Sequence, residues 1–175
     1  MILAFDTYYY SGKAKTVCLS FKDWTDDTYY RVYSEVHHGI EEYEPGEFYK
    51  RELPCIVSLL EQIDLPDIEA IIIDGFVFLD DNGKLGLGGR LYERLNGKIP
   101  VIGVAKTNFA TINENKQKVY RGNSLNPLYI TAIGLDKDKA AKHIESMSGA
   151  YRMPTLLKQL DSLTREKLND CYGKL

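Results

Sequence analysis

Short apolar runs separated by turn chemistry fill the first part of the chain. "MILAF" reads as a buried strand ending at Asp6, and "TVCLSF" and "YYRVYSEV" are rich in β-branched and aromatic residues, with "SGK" and "DWTDD" as turn material between them. Three such runs in succession predict an antiparallel meander. The period then changes: Phe48, Ile56, Leu59, Leu60 and Ile63 suit a helix from about Glu47 to Ile63, with Pro54 in its first turn or at its effective start. "AIIID", "PVIGVAK" and "NPLYITAI" read as buried strands. Between and after them come three helical stretches. "LGLGGRLYERLNG" is a helix with a glycine-rich beginning, stopped by Asn96 and Gly97. "DKDKAAKHIESMSG" has Asp136 as N-cap and Gly149 as stop. "TLLKQLDSLTREKL" is amphipathic, with Leu156, Leu157, Leu160 and Leu163 on one side. The polar stretch "NENKQKVYRGNS" is a hairpin or a mobile loop. Strands in a meander followed by strands alternating with helices predict an α/β fold: a mixed sheet, three antiparallel strands plus parallel ones, flanked by helices.

Composition narrows this picture. The chain has 175 residues, 44% of them hydrophobic, enough for one domain with a real core spanning 1–175. A formal net charge of -3 provides no global basic field, so a nucleic-acid partner must be met by a local patch. Cys18, Cys55 and Cys171 lack the paired spacing of a zinc or redox motif and read as free thiols. The apolar start has no basic region before it and stops at Asp6, too short for a leader or a membrane span. A monomeric, cytoplasmic protein without a membrane segment is the expectation.

Two apolar runs end in an aspartate, Asp6 and Asp74. At a strand end a carboxylate leaves the core while staying on rigid backbone, so it can be either a turn cap or a ligand. A hard cation such as Mg²⁺ takes a few carboxylates and leaves its remaining positions to water and phosphate. Glu52, near a helix start, and Asp161, between Leu160 and Leu163, are further acids that could join them.

At this point the residues resemble a known family. The pattern of Tyr43, Pro45, Gly46, Arg51, Glu52 and Pro54 in "YEPGEFYKRELP" looks like the signature of endonuclease V. "IIIDG" with Asp74 and Gly75, then "PVIGVAK" with Lys106, are similar to its next two blocks in the same order, and "YRMPTLLKQLD" resembles its closing pattern. The resemblance runs from Ile2 to about Thr164. It implies a ribonuclease H-like fold and a nuclease, dependent on Mg²⁺ or Mn²⁺, that cuts DNA or RNA near deaminated purine (inosine). On this implication Asp6, Glu52 and Asp74 are the metal carboxylates, Asp161 is an accessory acid, and Lys106 faces the scissile phosphate or the attacking water. Tyr43, Pro45 and Gly46 belong to a wedge beside the target base, with Arg51, Gly75 and Val77 in substrate contact.

The chain departs from the family in three places. Val77 stands where the family has glycine, Asp80, Asp81 and Asn82 where it has His-Pro-Arg, and Lys50 where it has an aromatic. Val77 would reshape the base pocket, and the acids would weaken phosphate contacts unless "DDNG" is a simple turn. The alternative function is therefore a binding module on the same fold with weak or no catalysis; a hydrolase of small nucleotides is a third option. Tyr8, Tyr9 and Tyr10 could stack on bases or on one another.

Overall fold

The computed structural model describes residues 1–39, 48–64 and 67–166. Its chain order is β1 (Ile2–Tyr10), β2 (Lys13–Phe21), β3 (Arg31–His38), α1 (Phe48–Glu61), β4 (Ala70–Asp74), α2 (Leu87–Arg94), β5 (Val101–Ala105), β6 (Gln117–Val119), β7 (Leu128–Ile133), α3 (Lys137–Ser146) and α4 (Thr155–Arg165). The strands form one 7-stranded sheet in the order β3-β2-β1-β4-β5-β7-β6. β1, β4 and β5 run parallel, and the other pairings are antiparallel. This is the α/β architecture, a mixed sheet flanked by helices, that the alternation of patterns predicts.

Strand β1 does not stop at Asp6. Its register with β2 continues from Ile2↔Phe21 to Tyr10↔Lys13. The two-residue connection, Ser11 (φ 47) and Gly12 (φ 70), is left-handed at both positions, the turn whose twist suits a tight hairpin. The pairing with β4 ends at Phe5↔Ile73. The hairpin, with β3 paired along β2, therefore reaches beyond the end of β4 as a three-stranded arm.

Side chains alternate across the sheet and build two cores. Ile2, Ala4, Ala70, Ile72, Ile102 and Val104 pack with Leu156, Leu157 and Leu160 of α4 and with α3. Leu3, Phe5, Ile71 and Ile73 pack with Ile56 and Leu59 of α1 and Leu91 of α2. Asp136 caps α3 as expected, accepting from Asp138 N and Lys139 N, but α3 ends at Ser146, before Gly149. Pro54 lies inside α1, past its first turn, where it forgoes a helix hydrogen bond. The polar stretch before β7 holds β6, antiparallel to β7.

The glycines at the start of α2 serve close packing. A Cβ on Gly88 would stand 2.8 Å from Val77 Cγ2, and one on Gly89 2.7 Å from the Val77 carbonyl. Val77 is the residue they pack on, 0% exposed, with its N–H donating to Thr131 Oγ1 at 2.8 Å. The expectation that Val77 contacts substrate is thus corrected: its side chain fills the core beneath α2. His143 of α3 stacks on Trp24 with ring centroids 4.3 Å apart. Cys18 and Cys55 are free thiols, both buried. Among the described residues no helix is long and apolar enough to cross a membrane.

Candidate active site

Phe5↔Ile73 is the last parallel pair of β1 and β4, so the next residues, Asp6 and Asp74, stand side by side. Alternation turns both toward the α4 face, the face of Ala4 and Ile72. Asp74 is opposite Val104 of β5, and Lys106, two residues beyond, shares that face. α4 covers it with Leu157 and Leu160 and presents Asp161 beside them. Asp6, Asp74, Lys106 and Asp161 consequently line one cavity of about 30 Å³, floored by Ile72, Val104, Leu157 and Leu160. That volume holds an ion or a water and is far too small for a nucleotide. A substrate phosphate would meet the cavity at its mouth.

Asp6 and Asp74 are electrostatically strained. Burial pushes Asp6 up, and the charge of Asp161 adds to it, while hydrogen bonds from Thr164 and the Thr7 N–H pull the other way. Thr164 Oγ1 donates to Asp6 Oδ2 at 3.2 Å, and Thr7 N to Asp6 Oδ1 at 2.9 Å. Asp74 as a residue is exposed at the strand end, yet its carboxylate sits in crowded surroundings. Their desolvation and the neighbouring Asp6 push it up to about 6, against the pull of Lys106. Asp161 is held from the outside by Arg165, whose Nη2 lies 3.1 Å from its Oδ1.

Glu52 has a different position. It belongs to the buried stripe of α1 with Ile56 and Leu59, on the sheet face opposite α4, and does not line the cavity. It is only 3% exposed, and burial, then Asp6 and Asp74, raise its pKa well above the ordinary glutamate value, opposed by Arg51. Its carboxyl is therefore close enough to feel the charges of the pair. Among the described residues no three histidine, cysteine, aspartate or glutamate side chains form a ready-made metal cage. The expected set of Asp6, Glu52 and Asp74 is not brought together as one; Asp6 and Asp74 are adjacent and Glu52 stands apart. Two adjacent, desolvated carboxylates with a water-sized space beside them nevertheless fit Mg²⁺ or Mn²⁺, which takes one or two carboxylates and keeps the rest of its shell for water and phosphate.

The remaining sequence candidates are dispersed. Gly75 adjoins Asp74 with φ +134, a backbone state that suits glycine, and its N–H donates to the Val104 carbonyl at 3.0 Å. The Arg51 guanidinium lies over the Tyr9 ring at 3.6 Å, on the α1 side. Tyr43, Pro45 and Gly46 lie outside the described residues. Asp80 is a turn residue, accepting from the N–H groups of Asn82 and Lys84. Asp81 accepts from Asn113, Glu114 and Asn115 N–H at 2.9 to 3.0 Å, tying the loop after Lys106 to the loop after β4. The acids that replace His-Pro-Arg are thus loop fasteners.

Two residues that site reasoning from sequence passed over support the cavity. Arg152 donates through Nη2 to the Lys106 carbonyl and, at 2.7 Å, to that of Pro127, fixing the backbone that carries Lys106. Thr164, three residues after Asp161, donates to Asp6. The "RMP" block and the helical i, i+3 spacing were the available signals, but neither specifies what its side chain meets.

No family model and no curated protein sequence matches the chain. Solved structures do. Endonuclease V from Streptomyces avermitilis superposes with a TM-score of 0.72 at 21% identity, covering 94% of this chain and 79% of that one. Human ENDOV gives 0.69 at 18% identity, covering 94% and 82%. Ciona intestinalis endonuclease V, in complex with a 24mer DNA containing an inosine followed by a ribo-adenosine, gives 0.74 at 16% identity, covering 94% and 83%. Likeness over nearly the whole chain at such low identity establishes architecture: the chain has the fold of endonuclease V.

Proposed function

We propose that this protein is an endonuclease that hydrolyses phosphodiester bonds in DNA or RNA beside a deaminated purine, with Mg²⁺ or Mn²⁺ as cofactor. The observation that carries this reading is the cavity where Asp6, Asp74, Asp161 and Lys106 meet at the ends of three parallel strands. Asp6 and Asp74 would hold the cation, with Glu52 tuning the pair from behind the sheet. When bound, a divalent ion acidifies water and compensates charge on a phosphate.

The chain's own groups do the rest. Hydrolysis adds water to phosphorus, breaks the bond to the leaving oxygen and places extra negative charge on the non-bridging oxygens. The Lys106 ammonium is a fixed positive charge at that place, a contribution of about 3 kcal/mol when well aimed. Arg152 keeps the Lys106 backbone in position. Asp161, steadied by Arg165, is the accessory acid toward the attacking water. The inosine preference rests on the sequence pattern of Tyr43, Pro45 and Gly46, and on the inosine-containing DNA bound by the Ciona relative. Val77 is buried in the core, whereas Gly75 adjoins Asp74 in the chain.

The test is cleavage of end-labelled single-stranded DNA and RNA oligonucleotides, each with or without one inosine, in Mg²⁺ and in Mn²⁺. Asp74→Asn is the control. A nick adjacent to inosine that vanishes in the variant is the expected result. No cleavage in either metal would overturn the nuclease reading in favour of a binding module.

A further inference from the structure

Beyond the cavity, the β1–β2 arm carries a surface that the catalytic reading does not use. Asp6, Tyr8 and Tyr10 alternate onto one face of β1, so the two tyrosines continue the line of the active site. At the rise of a β-strand, Tyr10 lies about 13 Å along β1 from Asp6. Both rings are half-buried, and they are stacked, with centroids 6.1 Å apart and planes 19° from parallel. β4 ends at Asp74, so among the described residues no strand pairs with this part of β1 on its β4 side.

Cross-strand neighbours on the same face are basic. Tyr8 is opposite Lys15 and Tyr10 opposite Lys13, and Lys13 is in turn opposite the exposed His38 of β3. The Arg165 guanidinium lies 4.7 Å over the Tyr8 ring. Lys15 is buried because its ammonium donates to the carbonyls of Leu163 and Glu166, anchoring the end of α4 against the arm. The acids of this region are mostly elsewhere: Glu35 and Glu52 belong to the opposite face, Asp161 is bridged by Arg165, and Glu166 is exposed at the end of α4. A chain of net charge -3 thus places aromatic and cationic side chains together on a strip that leads away from its cavity.

We propose that this strip is a binding platform for the single-stranded nucleic acid flanking the scissile phosphate, with Tyr8 and Tyr10 as stacking surfaces for bases and Lys13 as the phosphate contact. Rings and cations at strand spacing are what single-strand binding needs, since every base has a π-face and every nucleotide a phosphate. The span corresponds to about two to four nucleotides, depending on how far the strand is stretched. The proposal rests on the nuclease reading for the identity of the strand, and its test separates the two.

Binding of a fluorescein-labelled inosine oligonucleotide is read by anisotropy in EDTA, where no metal-dependent cleavage occurs, and cleavage in Mg²⁺ is read on inosine substrates with flanks trimmed stepwise from either end. For the full-length wild type, trimming one flank lowers kcat/KM. The pair Tyr8→Ala/Tyr10→Ala binds the long oligonucleotide about tenfold more weakly and cleaves long and trimmed substrates alike. Tyr8→Phe/Tyr10→Phe keeps stacking and behaves as wild type. Lys13→Ala lowers the salt slope of binding by about one, a readout that survives even if the alanine pair fails to fold. An unchanged salt slope in Lys13→Ala, or wild-type affinity and flank dependence in a folded alanine pair, overturns the platform. Weakened binding by the alanine pair in a protein that never cleaves supports the platform and overturns the nuclease instead.

Discussion

Replacing Asp74 by asparagine should stabilise the metal-free protein at neutral pH. The ordinary aspartate value is 3.8, and desolvation together with Asp6 raises Asp74 to about 6. A raised acid means that the folded state holds its proton more tightly than the unfolded chain. Between about pH 4 and pH 6 the folded state binds more protons, so rising pH costs stability, and the loss is complete above pH 7. A tenfold change in proton affinity is worth ~1.4 kcal/mol, which would give about 3 kcal/mol for a fully shielded group. Asp74 is exposed at the strand end, and screening leaves roughly 1 kcal/mol.

An asparagine side chain cannot ionise, so the Asp74→Asn variant escapes this loss. In EDTA at pH 7.5 its melting temperature should exceed that of the wild type by about 2–4 °C, and the gap should close near pH 4. Millimolar Mg²⁺ or Mn²⁺ should reverse the order, because a ligand bound only by the folded wild type adds stability that the variant cannot gain. Thermal melts by circular dichroism, at several pH values with and without metal, read all of this. A variant less stable than the wild type at pH 7.5 in EDTA, with a gap unaffected by acid, would refute the argument that the carboxylate is held at an energetic cost.

Other outcomes follow from the same contacts. Thr164→Val removes the hydroxyl that donates to Asp6; it should cost about 1 kcal/mol in denaturant unfolding and move the acid limb of the pH–rate profile upward, since that hydrogen bond lowers the Asp6 pKa. Arg152→Ala frees the carbonyls of Lys106 and Pro127, so kcat should fall about tenfold or more with little change in KM in steady-state cleavage. Gly88→Ala drives a Cβ to 2.8 Å from Val77 Cγ2 and should destabilise by about 1–3 kcal/mol in the same unfolding assay. Asp81→Ala deletes the acceptor of three backbone N–H groups and should expose the segment around Asn113 to limited proteolysis, with a fold that otherwise melts as one unit.

Much of the sheet was legible because its signals are local. A run such as "AIIID" is apolar on both faces only if it is a central strand, and Asp136 before a helical period is a cap wherever it occurs. The even positions that bring Asp6 and Asp74 onto one face follow from the period of a strand. What sequence left open depends on pairing and packing. The extension of β1 to Tyr10 is decided by β2, which pairs with it to Lys13; the aromatic run alone fits strand or loop. Val77 looked like part of a base pocket because it stands where the resembled family has a glycine, but Gly88 and Gly89 let α2 descend onto it, and the sequence does not state which residue a close-packing glycine approaches. Glu52 stands in the stripe of Ile56 and Leu59, so the helical period did place it facing the sheet. Which sheet face it met was set by the topology.

That placement bears on why the site is charged at all. The cavity floor is already apolar, formed by Ile72, Val104, Leu157 and Leu160, and apolar side chains at positions 6 and 74 would extend it without ionisation cost. Instead three desolvated acids, Asp6, Asp74 and Glu52, have raised pKa values, with Asp161 adding to the repulsion and Lys106 opposing it at Asp6 and Asp74. Thr164, Thr7 and Arg165 restrain the acids without neutralising Asp6 and Asp74. Such an arrangement lowers the stability of the free protein, a cost that a bound cation would offset. Clustered, raised carboxylates on rigid parallel strands, with a lysine held in place by Arg152, are therefore better accounted for by binding and catalysis than by folding.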